Sequence, residues 1–391
     1  MSDLKQLDGQ YIAHTYARFP VEVVSGHGSI LTDADGKDYI DMGSGIGVTA
    51  FGIADPVWKQ AVTAQLDLVQ HTSNLYFTEP CVQLAKLLCE RTGMKKVFFG
   101  NSGAEANECA IKVARKYAAE HKGPEYSTIL TLWNSFHGRT LTTLAATGQE
   151  HYHELFQPLT PGFAHVQPND LEDARRQMKA HKCAAILIEC IQGEGGVKVM
   201  DADFVRGVAA AAKENDILLI VDEVQTGNGR TGALYSYMNY GVEPDIVSTA
   251  KGLGGGLPLG CALLGEKVQD VLTPGDHGST FGGNPVCCAG AVSVLRRIDD
   301  ALLAEVREKS AYLFSQFTGA PGVESVSGMG LMIGIKPSEK TAAEVVRACM
   351  ENGVLCLTAK DRVRLLPALN IPMPLLERAA AVIKAACAPI A

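Results

Sequence analysis

The residue that most directly suggests chemistry is Lys251, which stands in the stretch DIVSTAKGLGGGLPLG, residues 245–260. An apolar run that predicts a strand precedes the lysine, and five glycines follow it within the stretch. Because glycine carries no side chain, a bound group can approach such a loop closely. The pattern therefore indicates an amine that is delivered to a ligand, and a solvated loop charge is the alternative.

A carboxylate stands at the end of another apolar run, ILLIVDEVQTG, where Asp222 is followed by Glu223. Strand alternation sends these two side chains to opposite faces, and ligands of open parallel sheets lie beyond the carboxyl ends of the strands. A buried carboxylate needs a cationic partner to stay charged. Because Lys251 follows one crossover and one strand later, we expect Asp222 and Lys251 at the same edge of one sheet.

Such a pair has two interpretations, a structural salt bridge or the two sides of a pyridoxal phosphate site. In pyridoxal phosphate chemistry a lysine forms a Schiff base with the aldehyde of the cofactor, and an aspartate keeps the pyridine nitrogen protonated. The second interpretation requires a phosphate site and a residue that stacks on the ring.

The sequence offers two candidate phosphate sites. In FFGNSGAEANECAIKVAR, a strand, a turn and a helix are predicted, and Ser102, Gly103 and Ala104 stand where the helix begins. Backbone N–H groups at a helix start bind anions, although a serine-capped helix without a ligand has the same pattern. Ser279 and Thr280 offer hydroxyl donors before the paired glycines of TFGGNP.

Two further residues could hold a flat ring between them. Phe136, in SFHGRT, is an aromatic residue expected near the sheet edge, and aromatic side chains stack on flat rings. Val224 follows Asp222 by two residues, so it points to the same face and could press on the other side of the ring. Together with the phosphate candidates, these residues favour the cofactor site over the salt bridge.

Apolar runs alternate with helical patterns over residues 50–285. This alternation predicts the elements that position these residues, an α/β fold with a mostly parallel sheet covered on both faces. TDADGKDYID predicts a hairpin near the N-terminus. The stretch CAGAVSVLRRIDDALLAEVREKSAYLFSQF predicts one long helix. We expect an N-terminal segment (1–48) and a C-terminal segment (288–391) to form a small α+β domain beside a large cofactor-binding domain (49–287).

Composition narrows the possible functions of the 391-residue chain. A net charge of −8 argues against nucleic-acid binding, because phosphates need a basic surface. No run of 18 or more apolar residues predicts a membrane span, and MSDLKQLDGQ lacks the apolar core of a signal peptide. Eleven cysteines without CxxC spacing indicate reduced thiols in a cytoplasmic protein.

Taken together, these motifs closely resemble the class-III, or ω-amino-acid, aminotransferases of fold type I. The similar segments occur in the family's order and are SGAEANE, FHGRT, QGEGG, DEVQTGNGRTG, AKGLGGGLPLG and STFGGNP. The resemblance implies a seven-stranded-type sheet, pyridoxal phosphate, and a homodimer with shared active sites. Within the family it is strongest to the bacterial branch that acts on acetylornithine with 2-oxoglutarate in arginine biosynthesis. Succinylornithine, 4-aminobutyrate and ornithine are the alternative amines.

The resemblance also implies roles at the cofactor. Lys251 would bind the cofactor and move protons, Asp222 would pair with the pyridine nitrogen, and Gln225 would reach the phenolic oxygen. Glu223 and Val224 would complete this cofactor-facing segment. For the remaining contacts, the implied residues are Gly103 and Ala104 of one subunit and Thr280 of the other at the phosphate, and Phe136 on the ring.

The implied substrate residues are two arginines and their neighbours. Arg139 would clamp a substrate carboxylate with two parallel hydrogen bonds, and Ser279 would face the substrate. Arg364 would bind the α-carboxylate of glutamate, and Glu194 would neutralise Arg364 while the first substrate is bound. Tyr16 occupies the place of a tyrosine that contacts substrate in the ornithine enzymes.

Some features depart from the family pattern or leave alternatives open. Ile46 replaces an aromatic residue of the ornithine enzymes, and Ile53 and Asn228 are unusual for the family. HYHE, residues 151–154, is interpreted as a solvated helix start and not as a metal site. An isomerase or decarboxylase of the same fold, or a binding protein without activity, are the other classes of function.

Overall fold

The computed structural model describes residues 3–389. Strands are numbered in chain order, and their bounds are β1 Val23–His27, β2 Ile30–Asp33, β3 Asp38–Asp41, β4 Lys96–Gly100, β5 Thr128–Leu132, β6 Phe163–Val166, β7 Cys183–Ile188, β8 Ile191–Gln192, β9 Lys198–Val199, β10 Leu218–Asp222, β11 Ile246–Thr249, β12 Gly260–Leu264, β13 Val323–Met329, β14 Met332–Pro337, β15 Val354–Leu355, β16 Leu357–Ala359 and β17 Arg362–Leu365.

The helices are numbered in the same way, and their bounds are α1 Asp3–Tyr11, α2 Ser44–Gly47, α3 Pro56–Leu66, α4 Glu79–Thr92, α5 Gly103–His121, α6 Leu141–Ala146, α7 Leu171–Ala180, α8 Ala202–Glu214, α9 Pro285–Arg297, α10 Asp300–Phe317, α11 Ala342–Glu351 and α12 Met373–Cys387. Short 3-10 turns lie at Ser73–Leu75, Glu150–Tyr152, Ser236–Tyr240 and Lys251–Leu253. No helix within residues 3–389 is long and apolar enough to cross a membrane.

Seven strands form the central sheet in the order β4-β12-β11-β10-β7-β5-β6. Neighbouring strands are parallel except at β12, which runs antiparallel to both β4 and β11. Every residue of β7, β10 and β11 is buried, as strands covered on both faces must be. The predicted α/β fold with a mostly parallel sheet is confirmed.

Helices cover the two faces of this sheet and form two separate apolar cores. Ile111 of α5 packs in the core of one face together with Leu187 of β7. Phe204 of α8 packs in the core of the other face together with Ile186 and Ile188, because side chains alternate along the strand.

Two smaller sheets combine the ends of the chain. The order of the first is β1-β2-β3-β15, so a C-terminal strand pairs with the N-terminal hairpin, and the order of the second is β13-β14-β17-β16. The predicted hairpin is confirmed, with β2 antiparallel to β3 and Gly36 at a φ of 80° in the turn. The residue boundaries of the two domains stay a prediction.

The prediction of one long helix after residue 288 is wrong. The structure has two helices there, since α9 ends at Arg297 and α10 begins at Asp300. Ile298 leaves helical geometry with a ψ of 74°, and the Asp299 side chain accepts the N–H of Leu302. An N-terminal capping bond of this kind stabilises a new helix start, and a continuous apolar pattern hides it.

Candidate active site

A cavity of about 460 Å³ lies at the carboxyl ends of β10 and β11, on the edge where ligands of such sheets bind. Most of the residues that the sequence singled out meet there. The predicted site residues that line the cavity are Ser102, Gly103, Ala104, Phe136, Arg139, Asp222, Val224, Gln225 and Lys251. As the sequence indicated, Asp222 and Lys251 lie at the same edge of the sheet, at the carboxyl ends of β10 and β11.

Lys251 follows β11 after one intervening residue, Ala250, and begins the 3-10 turn before the glycine-rich loop. Its φ of 47° lies in the left-handed region, a strained conformation that is concentrated at functional sites. Burial lowers the pKa of Lys251 to about 8, against the opposing effect of Glu194, and the Arg364 guanidinium lowers it further. Within residues 3–389 its amine makes no hydrogen bond, so its lone pair is available at mildly alkaline pH.

Asp222 ends β10 beside Lys251's strand, and three donors fix its carboxylate. His137 Nδ1 and Asn107 Nδ2 both lie 2.8 Å from Oδ2, and the N–H of Val224 lies 2.9 Å from Oδ1. The Asp222 residue is 4% exposed. A buried carboxylate that accepts this many hydrogen bonds is held in one orientation.

Asn107 is a functional residue that sequence reasoning missed. Its amide donates to the backbone carbonyl of His137 at 2.8 Å as well as to Asp222, so it joins three elements in one network. The available signal was its place on α5 four residues after Gly103, which puts both on the same helix face.

Glu189 was also missed. It follows β7 as Asp222 ends the neighbouring β10, and its Oε2 accepts the N–H of Phe136 at 2.9 Å. Burial raises the pKa of the Glu189 carboxyl well above its usual value, and the nearby Asp222 carboxylate raises it further. A carboxylate directly after a buried strand next to β10 was the signal that could have identified it.

The start of α5 forms another part of the cavity wall. Ser102 caps the helix by accepting the N–H of Glu105, which leaves the N–H groups of Gly103 and Ala104 without an acceptor among the described residues. A Cβ at Gly103 would lie 2.6 Å from a methyl carbon of Val224. Only glycine therefore allows the helix start and the Val224 side chain to close this part of the cavity.

Arg364 is buried, and not a surface arginine of its strand, with 3% of its surface exposed. Its Nη1 lies 2.5 Å from Glu194 Oε1 and 3.0 Å from Gln225 Oε1. Gln225 also donates to Glu194 at 3.2 Å. Burial opposes ionisation of Glu194, but Arg364, Lys251 and Gln225 outweigh it and lower the pKa of that carboxyl. The ion pair is thus charged and lies beside the amine.

Asn228 has a structural reason for its departure from the family pattern. Its φ of 57° lies in the left-handed region, which asparagine tolerates better than an apolar residue does. Its amide donates to the Thr249 hydroxyl and the Ala250 carbonyl, both at 3.1 Å. Asn228 therefore ties down the end of β11 immediately before Lys251.

Six predicted residues are not among those that line this cavity, namely the Arg364–Glu194 pair and four others. Glu223 points to the other side of its strand, where its carboxylate accepts hydrogen bonds from the hydroxyls of Thr226 and Ser236. The expectation that Glu223 faces the cofactor was wrong, because successive side chains of a strand point to opposite faces. Tyr16 and Thr280 are exposed. Ser279 lies at the margin, 3.1 Å from Asn101 of the cavity lining.

Thr280 directly precedes Phe281 on an exposed surface. We call this surface the apolar rim and define it by Leu75, Tyr76, Phe77 and Phe281. The rim is one unit because the Asn74 amide bonds the carbonyls of Ser279 and Gly282 at 3.1 and 2.9 Å. Phe77 is fully exposed, and the other three side chains are at least 60% exposed. Such a cluster of large exposed apolar side chains marks an interaction surface.

The chain matches known proteins over nearly its whole length. A family model described as aminotransferase class-III matches residues 11–387. Acetylornithine aminotransferase of Haemophilus ducreyi is 50% identical over 381 residues, which is 97% of this chain and 97% of the relative.

Solved structures share the fold. Ornithine aminotransferase of Toxoplasma gondii, which has partial occupancy of PLP at its active site, superposes with a TM-score of 0.93 at 31% identity, over 98% of this chain and 94% of that one. N-acetylornithine aminotransferase of Stenotrophomonas maltophilia superposes with a TM-score of 0.85 at 32% identity, over 97% of each chain. These neighbours confirm the predicted fold type I.

Proposed function

Because the chain belongs to the class-III aminotransferases, which use pyridoxal phosphate, we propose that it transfers the side-chain amino group of N2-acetyl-L-ornithine to 2-oxoglutarate. The products are N-acetyl-L-glutamate 5-semialdehyde and L-glutamate, a step of arginine biosynthesis. The carrying observation is the ion pair of the buried Arg364 with the partly exposed Glu194, beside Lys251. It neutralises a cation that would otherwise repel an incoming amine.

The cavity fits the cofactor in two respects. The free N–H groups of Gly103 and Ala104 suit a phosphate, since a helix start attracts anions. Phe136 and Val224 line the walls between which a flat ring can lie. Pyridoxal phosphate supplies an aldehyde for amino groups and a ring that withdraws electrons from the neighbouring carbon.

Lys251 is proposed as the catalytic base. Because its pKa is lowered to about 8, its Nζ becomes neutral as the pH rises through mildly alkaline values, and the neutral amine can take a proton from the substrate carbon. Asp222 is proposed to hold the proton of the pyridine nitrogen, and His137 and Asn107 fix the carboxylate in place.

Substrate selection is proposed to rest on the two arginines. Arg139 lines the cavity with its guanidinium donors free among the described residues, so it can bind the carboxylate of either substrate. Arg364 binds the α-carboxylate of glutamate once Glu194 releases it. Gln225 contacts both members of this pair and lines the cavity, so it links the cofactor to the arginine.

We also propose that the protein acts as a homodimer, with Thr280 and Ser279 completing the partner's site and Tyr16 lying at the substrate entrance. The exposed apolar rim around Thr280 supports this arrangement, because a partner surface would remove it from water. Eleven free cysteines support a cytoplasmic location.

The experiment is to follow the visible absorption band of the purified holoenzyme while each amine is added separately: acetylornithine, succinylornithine, ornithine and 4-aminobutyrate. The band is expected to decay fastest with acetylornithine and to return on addition of 2-oxoglutarate. Faster decay with another amine would refute the acetylornithine assignment and leave the aminotransferase chemistry. A protein that gains no band from added pyridoxal phosphate would refute the role of Lys251.

A further inference from the structure

Arg139 lies against two aromatic rings. Its guanidinium carbon is 5.9 Å from the centre of the Phe136 ring and 5.4 Å from the centre of the Tyr152 ring. The two rings are 5.9 Å apart and nearly perpendicular, with an angle of 69° between their planes. Both distances lie within the range at which a cation is attracted to the face of a ring.

The rings hold the guanidinium without using its hydrogen-bond donors. Among residues 3–389, Arg139 forms neither a hydrogen bond nor an ion pair, although its side chain is exposed at the cavity. An acidic partner would fix the same side chain but would compete with a substrate carboxylate. Ring contacts leave all five N–H donors of the guanidinium for the ligand.

The segment that carries Tyr152 is fixed rigidly to the segment that carries Arg139. The N–H of Gly148 donates to the Ser135 hydroxyl at 3.0 Å, and the Gln149 side chain donates to the Ser135 carbonyl at 2.9 Å. The N–H of His137 donates to the Thr147 hydroxyl at 3.0 Å. The position of the Tyr152 ring is therefore set by the same network that sets the cavity wall.

We propose that Tyr152 is a positioning residue that orients Arg139 toward substrate carboxylates. The inference rests on the proposed function, in which Arg139 binds the carboxylates of both substrates. Phe136 already faces the proposed cofactor, so Tyr152 is the ring devoted to the arginine. The Tyr152 hydroxyl has no hydrogen-bond partner within the described chain, and the aromatic face is therefore the part that acts.

The test compares Y152L with Y152F in the holoenzyme. Y152L removes the ring and is expected to raise the KM for acetylornithine and for 2-oxoglutarate about tenfold each, equivalent to about 1.4 kcal/mol, with kcat changed by less than about threefold. Y152F keeps the ring and is expected to restore both KM values to within about twofold of the wild type.

A substrate without the carboxylate separates positioning from general damage. The methyl ester of acetylornithine offers Arg139 no anion, so wild type and Y152L are expected to have the same kcat/KM for it. The matched control is Y126L, because Tyr126 lies outside the cavity and contacts the Lys122 and Lys182 ammonium groups at 4.9 and 4.8 Å. Y126L is expected to leave every KM unchanged.

Three results would overturn the inference: an equal loss with the methyl ester, a Y152F variant as impaired as Y152L, or wild-type KM values in Y152L. R139A tests the underlying function separately, since it should remove the preference for the free acid over the ester. If R139A retains that preference, the proposed role of Arg139 fails. If R139A loses it while Y152L keeps wild-type KM values, the proposal about Tyr152 alone fails.

Discussion

The floor of the cavity is enclosed and hydrogen-bonded, whereas the apolar rim is exposed to solvent. The floor, defined by Lys251, Asp222, His137 and Asn107, is enclosed, and its carboxylate is held by hydrogen bonds from distant parts of one chain. The rim exposes large apolar side chains and carries Thr280 away from the chain's own cavity. In the proposed homodimer, one chain supplies the residues of the floor and a second copy closes the site.

The difference follows from what each region must do. Proton transfer needs groups held in fixed geometry in a dry environment, which a single packed chain provides best. Closing the cavity needs only apolar area and a few donors, which a second copy can supply through a symmetric interface. The predictions below break one region or the other, from the largest expected effect to the smallest.

Loss of the floor amine has the largest expected effect. K251A should lower kcat about a thousandfold or more, because general base catalysis by the lysine and its covalent hold on the cofactor are both lost. Steady-state rates and the visible spectrum are the measurements, and the dimer should persist in gel filtration. A K251A variant with more than a tenth of wild-type kcat would contradict the account.

A charged substitution in the apolar rim should lower activity by preventing dimer formation. F77D places a charge in the centre of the apolar rim and should convert the protein to a monomer in analytical ultracentrifugation. The rate should fall about a hundredfold, since misplacing distant site groups by a small distance costs that much. A dimeric F77D, or an active monomer, would remove the rim from the account. F156D, a substitution at another exposed phenylalanine, is a control for surface charge.

The Arg364–Glu194 pair gives effects of opposite sign on the two substrates. E194Q leaves Arg364 charged but uncompensated, so the KM for acetylornithine should rise about tenfold through like-charge repulsion. The KM for 2-oxoglutarate should stay the same or fall, because the arginine no longer has to leave a carboxylate. Equal increases in both KM values would contradict this role, and E324Q, which breaks a surface pair with Lys336, is the control.

Asn107 should have the smallest effect on the floor. N107A removes one of three donors to Asp222 and leaves the other two, so kcat should fall about tenfold. The free energy of unfolding should fall by about 1–3 kcal/mol, because a buried carbonyl and a buried carboxylate each lose a partner. Denaturant melting and steady-state rates measure the two effects. N239A, at an exposed asparagine outside the cavity whose amide donates to the Thr231 hydroxyl at 3.2 Å, should leave kcat unchanged.

The sequence predicted the elements whose signals are local. Lys251 and Asp222 follow apolar strands, and the rule that ligands lie beyond carboxyl ends brings such residues together without knowledge of the packing. The position of Glu223 also has a local cause: it is the next residue after Asp222, and strand alternation points its side chain away from the cavity.

The sequence did not predict what depends on packing between distant segments. Asn107 bonds residues from two other elements, and the contact of Tyr152 with Arg139 depends on a loop docked through Ser135. The break between α9 and α10 rests on one capping bond inside an otherwise helical pattern. Each of these features requires the relative positions of elements, which composition and periodicity do not contain.

The most direct test is a hybrid dimer that separates the floor from the rim. Chains with K251A and chains with T280D are coexpressed with different tags, and the mixed dimer is purified through both. Each variant homodimer should have little activity, because K251A lacks the catalytic amine and T280D repels the phosphate of the partner's cofactor. If Thr280 completes the partner's site, the hybrid contains one intact site and should have about half the wild-type activity. A hybrid as inactive as the two homodimers would contradict the claim that floor and rim come from different chains.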